Sequence, residues 1–194
     1  MRIGITVNGV LRETLDKLVS VYNRYNEDSV SVESIDNLDL LSYFKFETQE
    51  ELINFMYVEC PMEIFGNCPA PKDDTFFQLN KFYKEFRDVH EITIFSEEIE
   101  KSKSATLFFL AKYGCLVDNI KFFGLNSFYD SVWGEVDLMI TSDGDLLEKQ
   151  PADKKSIKLD DKFNKEINSD FTITQLSEIF DIDIFKYEEN EIKE

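Results

Sequence analysis

The sequence predicts an α/β protein, a three-layer sandwich in which a mostly parallel sheet of five strands has helices on both faces. One observation is the alternation of short apolar segments with helical segments along the second half of the chain. Another is the beginning of the chain, where Ile3, Ile5 and Val7 form a strand pattern and Gly9 allows a sharp turn just past it. In open α/β folds, functional groups lie in the loop at the carboxyl end of such a strand.

Five strands are predicted from the apolar segments at residues 2–7, 90–96, 119–124, 136–141 and 156–160. Helices are predicted near residues 12–25, from Thr48 onward, from Asp73 or Asp74 to about Phe86, and at 99–113 and 174–181. Thr48 and Glu51 have the spacing of a capping box, and Gly114 closes the fourth of these helices as a C-cap. The order of these elements divides the chain into a core of residues 1–25 and 89–183, a helical cap insertion at 26–88 and a frayed acidic tail at 184–194.

Composition excludes several classes of function. The formal net charge of −18 argues against direct nucleic-acid binding, because phosphate contacts require clustered lysine and arginine. No apolar segment approaches the roughly 20 residues that cross a bilayer, so we expect no membrane association and a cytoplasmic location. Cys60, Cys68 and Cys115 have no metal-ligand spacing, and three reduced thiols are favoured over a disulfide or half a metal site between the first two.

The first turn resembles the first motif of the haloacid dehalogenase (HAD) superfamily, a hydrophobic strand followed by Asp-x-Asp-Gly-(Thr/Val)-Leu. Here the corresponding segment is ITVNGVL, with Thr6 and Asn8 in place of the two aspartates. In the family the first aspartate is the nucleophile that attacks phosphorus and the second is a general acid/base. Thr6 has a poorly nucleophilic hydroxyl and Asn8 cannot exchange a proton at neutral pH, so the resemblance predicts the fold without the chemistry.

The other motifs follow the same pattern over about residues 1–165, with a cap like that of 5′(3′)-deoxyribonucleotidase-like members. Ser96 matches the second motif, a residue that holds a phosphate oxygen, although a helix N-cap explains it equally well. The segment 124–135 lacks the lysine of the third motif, and Thr141 and Ser142 stand where the fourth has metal-binding aspartates. A register slip could offer Asp143 or Asp145 as metal ligands, but a lone carboxylate holds Mg²⁺ poorly, so no metal or other cofactor is expected.

These substitutions predict a catalytically inactive HAD-fold protein that serves as a structural or interaction subunit of a larger assembly. Lysine outnumbers arginine 17 to 4, a bias typical of AT-rich genomes, so a phage virion or tail protein with viral protein partners is one version of this hypothesis. One alternative is a protein that binds a nucleotide or phosphate without hydrolysis, and a further one is a divergent Mg²⁺-dependent nucleotidase. A small insertion buries few aromatic residues, so the docking surface is predicted in the cap, at Tyr43, Phe44, Phe46, Phe55 and Tyr57.

Overall fold

A parallel sheet forms the centre of the computed structural model, which describes residues 1–125 and 127–186. In these residues six strands are paired in the order β3-β2-β1-β4-β5-β6. The strands are β1 (Arg2–Thr6), β2 (Glu91–Glu97), β3 (Ile120–Phe123), β4 (Leu138–Thr141), β5 (Lys155–Leu159) and β6 (Phe171–Ile173). The predicted α/β sheet is confirmed. β6 was not predicted, because three residues give too little periodicity to recognise.

The helices are α1 (Thr14–Asn26), α2 (Gln49–Asn54), α3 (Thr75–Phe86), α4 (Ser102–Lys112), α5 (Phe128–Glu135), α6 (Gly144–Glu148) and α7 (Asp183–Lys186). Thr48 caps α2 by accepting a hydrogen bond from the Glu51 amide, and Gly114 ends α4 with a φ of +65°, as predicted. The helix predicted at 174–181 is instead a 3₁₀ helix, Leu176–Asp181, and α5 was not predicted. Across 1–125 and 127–186, no helix combines the length and apolar character that membrane crossing requires.

Alternation along the strands sends side chains to the two faces of the sheet. Ile3 and Ile5 pack with buried residues of α3 and α4 on one face. Phe95 and Met139 point to the opposite face and pack against Trp133 of α5. The sheet is therefore covered on both faces, which explains the apolar character of its central strands.

A second hydrophobic core lies beside the sheet domain. It joins one face of α1 to the segment between residues 30 and 65, in which Phe55–Glu59 and Met62–Gly66 form π-helical turns. The predicted cap range, 26–88, is divided between the two cores, because α3 packs its buried residues against the sheet. The cap is thus anchored by α1 before it and by Ala105 of α4.

The end of the described chain is ordered by packing. The predicted frayed tail began at residue 184, but Phe185 is 4% exposed and its ring centroid lies 5.1 Å from that of Phe82. The frayed prediction is therefore wrong for residues 184–186, because α7 buries an aromatic ring on α3. Residues 187–194 lie outside the described residues.

Candidate functional site

Two of the predicted motif positions meet at the carboxyl edge of the sheet. β2 and β3 extend the sheet on one side of β1, and β4, β5 and β6 extend it on the other. The connections after β1 and after β3 therefore run in opposite directions, and a crevice opens between β1 and β4 at such a point. Thr6 ends β1 and Thr141 ends β4, and both are buried. The Thr6 hydroxyl donates a hydrogen bond of 3.1 Å to Thr141 Oγ1. The resemblance placed these residues in one site, and the strand order brings them together.

Asn8 follows in the turn after β1, and its side chain accepts three hydrogen bonds. Its Oδ1 accepts hydrogen bonds from Arg12 Nη2 at 2.7 Å, from Arg12 Nε at 3.1 Å and from the Thr14 hydroxyl at 2.8 Å. Gly9 makes the turn possible, since its φ is +76° and a Cβ there would lie 1.9 Å from Ser142 Oγ. The Asn8 carbonyl is therefore held in one orientation by its own loop.

Arg12 is one of the residues of this site that were not predicted from the sequence. Its side chain is fully buried, and its Nη1 donates to the Thr106 hydroxyl at 2.6 Å while Nη2 lies 3.3 Å from Glu98 Oε1. The guanidinium carbon is 4.6 Å from the ring centroid of Phe65, a cation–π distance. Burial lowers the pKa of Arg12, and the charge of Glu98 counteracts this effect. No local pattern marks Arg12, because residues 8–12 form a turn between β1 and α1 rather than part of a helix.

Glu98 joins the second motif position to Arg12. Its Oε1 accepts from Ser96 Oγ at 2.8 Å and from the Thr106 hydroxyl, in addition to the Arg12 contact. Within the described residues, Glu98 Oε2 is buried and has no hydrogen-bond partner. The N-cap explanation of Ser96 is wrong, because Ser96 lies within β2 and α4 begins six residues later. Ser96 instead orients the carboxylate that pairs with Arg12.

The fourth motif region brings the carboxylate of Asp143 near that of Glu97 in β2. Asp143 caps α6 by accepting from the Leu146 amide at 3.0 Å, and its other oxygen accepts the Tyr129 hydroxyl at 2.9 Å. Burial raises the pKa of Asp143. Burial, with Asp143 and Glu98 nearby, raises the pKa of Glu97 to about 7. The register slip toward Asp143 thus yields a carboxylate whose two oxygens are already bound, and Glu97 is a titratable group that the sequence analysis did not identify.

Metal-ligating residues do not converge on this edge. Among the described residues, no group of three or more histidine, cysteine, aspartate or glutamate side chains has the arrangement of a metal site. All three cysteines are free thiols, and burial raises the pKa of Cys68 to about 12. The residues present therefore do not fit the Mg²⁺ that the fold family implies, because motif positions Thr6, Asn8, Thr141 and Ser142 supply hydroxyls and an amide.

A cavity of about 250 Å³ opens beside the turn after β1. Its polar lining includes Arg12 and Lys162 and the carboxylates of Glu13, Asp16, Asp143 and Asp161, and its apolar lining is Leu15, Val32, Leu38 and Phe163. Burial, with Asp16 and Asp161 nearby, raises the pKa of Glu13, as expected where acids crowd together. Lys162 Nζ donates to the carbonyl of Val32 at 2.9 Å. The excess of carboxylates makes this cavity unfavourable for an anion.

The five aromatic residues of the predicted docking surface are not an exposed patch. Phe44, Phe55 and Tyr57 are buried, and Tyr43 and Phe46 are half-buried. The rings of Phe44, Phe46 and Phe55 surround Tyr22 of α1 at centroid distances of 4.5, 5.5 and 6.4 Å. The prediction is wrong because it treated the insertion as a separate unit, whereas α1 shares its core.

Comparison with known proteins gives structural matches only. No protein-family model and no curated protein sequence matches the chain. A dehalogenase with a bound intermediate is similar with a TM-score of 0.55 and 12% identity, over 93% of this chain and 95% of that one. A HAD-superfamily hydrolase of subfamily IA from Geobacter sulfurreducens PCA is similar with a TM-score of 0.53 and 13% identity, over 93% of this chain and 94% of that one. A haloacid dehalogenase-like hydrolase from Burkholderia xenovorans LB400 is similar with a TM-score of 0.51 and 8% identity, over 94% of this chain and 95% of that one.

Proposed function

From the haloacid dehalogenase-like fold of this chain, we propose a protein that has lost aspartate-based hydrolysis and acts as an interaction subunit of a larger assembly. One observation carries the proposal: the Arg12 guanidinium bridges Asn8 of the first motif and Glu98, which also binds Ser96 of the second. Asn8 and Ser96, to which the resemblance assigns acid/base and phosphate-holding positions, are thus both engaged by the protein's own ion pair.

The remaining polar groups of the site support the loss of chemistry. The Thr6 hydroxyl donates to Thr141, a group that cannot act as a base, so nothing activates it as a nucleophile. The Asn8 amide oxygen is saturated by three donors and has no proton to exchange. Loss of a nucleophile alone costs roughly 10⁴–10⁶ in rate. None of the matched positions Thr6, Asn8, Ser96, Thr141 and Ser142 holds a carboxylate, which an acyl-phosphate requires.

Binding of a nucleotide or phosphate without hydrolysis has less support. The Arg12 charge is already neutralised by Glu98, and the neighbouring cavity is lined by four carboxylates. An anion entering there would need to displace a buried ion pair or accept repulsion. We therefore place interaction with protein partners ahead of anion binding, and the phage virion or tail remains a proposal from composition alone.

One observation favours a second candidate, a divergent hydrolase. Glu97 and Asp143 lie near each other at the carboxyl edge of the sheet, and a pKa of about 7 would suit Glu97 as a general acid/base. Asp143, whose oxygens accept from Leu146 and Tyr129, would be the second carboxylate of such a site. This candidate differs from the first in predicting turnover that depends on both carboxylates.

A hydrolysis assay distinguishes the two candidates. The purified chain is incubated with Mg²⁺ and either p-nitrophenyl phosphate, deoxynucleoside monophosphates or 2-chloropropionate, and phosphate or chloride release is measured. We expect release no faster than in buffer, and an unchanged result for Asp143→Ala and Glu97→Gln. Mg²⁺-dependent release that either substitution abolishes would overturn the proposal. A sedimentation mass of the protein from its native source equal to one chain, with no partner, would overturn the assembly role.

A further inference from the structure

Helix α4 has apolar residues on both of its faces. Ala105, Phe109 and Leu110 are buried against the two cores, as expected for one apolar stripe. On the opposite face Leu107 and Phe108 are 46% and 45% exposed. A surface helix normally presents polar residues there, so this part of α4 has the character of a contact surface.

The exposed face of α4 continues onto the neighbouring π-helical turn. A Cβ at Gly66 would lie 3.0 Å from Met62 Cε and 3.3 Å from Phe108 Cδ1, so both side chains lie over this glycine. Met62 is itself 40% exposed. Met62, Leu107 and Phe108 form what we call the α4 patch, which combines a flexible thioether with an aromatic ring, a composition enriched at protein interfaces.

The charged side chains of residues 101–112 are all basic, in contrast to the acidic chain as a whole. Residues 101–112 contain Lys101, Lys103 and Lys112 and no acidic residue, whereas the whole chain carries −18. All three lysines are exposed. Glu63, next to Met62, is already paired with Arg24 and accepts the Tyr25 hydroxyl at 2.6 Å. The side chains that border the patch on α4 therefore favour a partner with negative charge.

We propose that the α4 patch docks an acidic amphipathic helix of a different protein. Apolar side chains of that helix would cover Leu107, Phe108 and Met62, and its carboxylates would lie near the lysines of α4. A second copy of this chain fits less well, because an isologous contact would place the lysines of one α4 against those of the other. The proposal rests on the proposed function, for which it names the chemistry of the partner.

Fluorescence anisotropy with two synthetic peptides tests the proposal on the full chain. One probe is a labelled 20-residue helical peptide with leucines on one face and glutamates elsewhere, and the other has lysines in place of the glutamates. We expect saturable binding of the acidic peptide, at least tenfold weaker binding of the basic one, and weaker binding in 0.5 M salt. Equal binding of both peptides, or no binding of the acidic one, would overturn the proposal.

Two double variants assign the binding to the α4 patch. Leu107→Ser with Phe108→Ser should weaken binding of the acidic peptide at least tenfold. Lys101→Glu with Lys103→Glu should make the protein bind the basic peptide more tightly than the acidic one. The second variant keeps the test decisive if the first fails to fold. The matched control is Phe77→Ser, which removes a 68% exposed aromatic residue of α3 and should leave binding unchanged.

Three further results would overturn the proposed docking on the α4 patch. They are an equal loss of peptide binding in Phe77→Ser, an unchanged peptide affinity in both double variants, and a dimer in sedimentation that Leu107→Ser with Phe108→Ser dissociates. The last result would make a second copy the occupant. Hydrolytic activity alone overturns the proposed function and leaves the α4 patch intact. Absence of peptide binding in a chain without hydrolytic activity overturns only the α4 patch.

Discussion

Replacing Arg12 with methionine tests how the buried ion pair contributes to stability. The substitution keeps most of the side-chain volume between Phe65 and Phe109 but removes the charge and the donors to Asn8, Thr106 and Glu98. Glu98 is then a carboxylate with no exposed side-chain surface and no opposite charge beside it. Breaking one side of a buried pair typically costs about 3–5 kcal/mol. For a chain of this size that corresponds to a fall in melting temperature of roughly 6–20 °C.

A double-mutant cycle separates the pair from its surroundings. Glu98→Gln keeps an oxygen for the Ser96 and Thr106 hydroxyls but leaves Arg12 as the unneutralised buried charge. When both substitutions are combined, no buried charge remains at the site. We therefore expect the double variant to be more stable than the sum of the single effects predicts, by about 1–3 kcal/mol. Direct replacement of a buried pair by uncharged groups is often close to neutral.

Urea unfolding followed by circular dichroism measures each free energy, with Arg87→Met as the matched control. Arg87 is 54% exposed in a 3.9 Å ion pair with Asp88, so its replacement should change stability by less than about 0.5 kcal/mol. A cost below about 1 kcal/mol for Arg12→Met, or two single effects that simply add, would contradict a desolvated ion pair at this position. Either result would mean that water reaches the ion pair in solution.

Three other predictions concern stability. Glu97 has a folded-state pKa of about 7, above its unfolded value, so the folded protein binds more protons and Glu97 becomes destabilising as the pH rises from about 4.5 to 7. In urea titrations, Glu97→Gln should therefore raise the free energy of unfolding at pH 8 by on the order of 1 kcal/mol and change it little at pH 4. An equal effect at both pH values would refute this prediction. Gly9→Ala should destabilise by about 1–3 kcal/mol because of its positive φ and the clash described above, whereas Gly134→Ala, with open space around it in α5, should be neutral or slightly stabilising by calorimetry; equal effects would contradict the turn geometry. Phe44→Ala should cost about 3–5 kcal/mol in thermal unfolding and Phe77→Ala less than about 0.5, and a neutral Phe44 variant would restore the exposed patch that the sequence predicted.

The predicted fold agrees with the structure wherever local pattern is strong. Strands at the beginning of the chain and at 136–141 were located within two residues, and Thr48 and Gly114 marked helix ends as their conformational preferences require. Short elements were missed, as with β6 and α5. Their few residues allow several structures locally, and packing against the sheet selects one of them.

The side-chain contacts within the site were predicted less completely than the strands that carry them. Thr6 and Thr141 were expected in one site, and their 3.1 Å contact follows from the pairing of β1 with β4. The pair of Arg12 with Glu98 was not expected, because 86 residues separate them along the chain. A charge is buried or exposed according to what other segments place around it, which local sequence does not encode.

The sequence by itself determined the strand-turn-helix entry, the alternation that builds a parallel sheet, and the absence of carboxylates at the first motif, since these depend on residue type and short-range periodicity. Tertiary structure alone decided that Arg12 lies inside the site and that Phe44 and Phe55 complete a core around Tyr22. It also left Leu107 and Phe108 uncovered on α4. The physical reason is that burial is a property of the whole chain: an apolar or charged side chain acquires its role only from segments that fold against it.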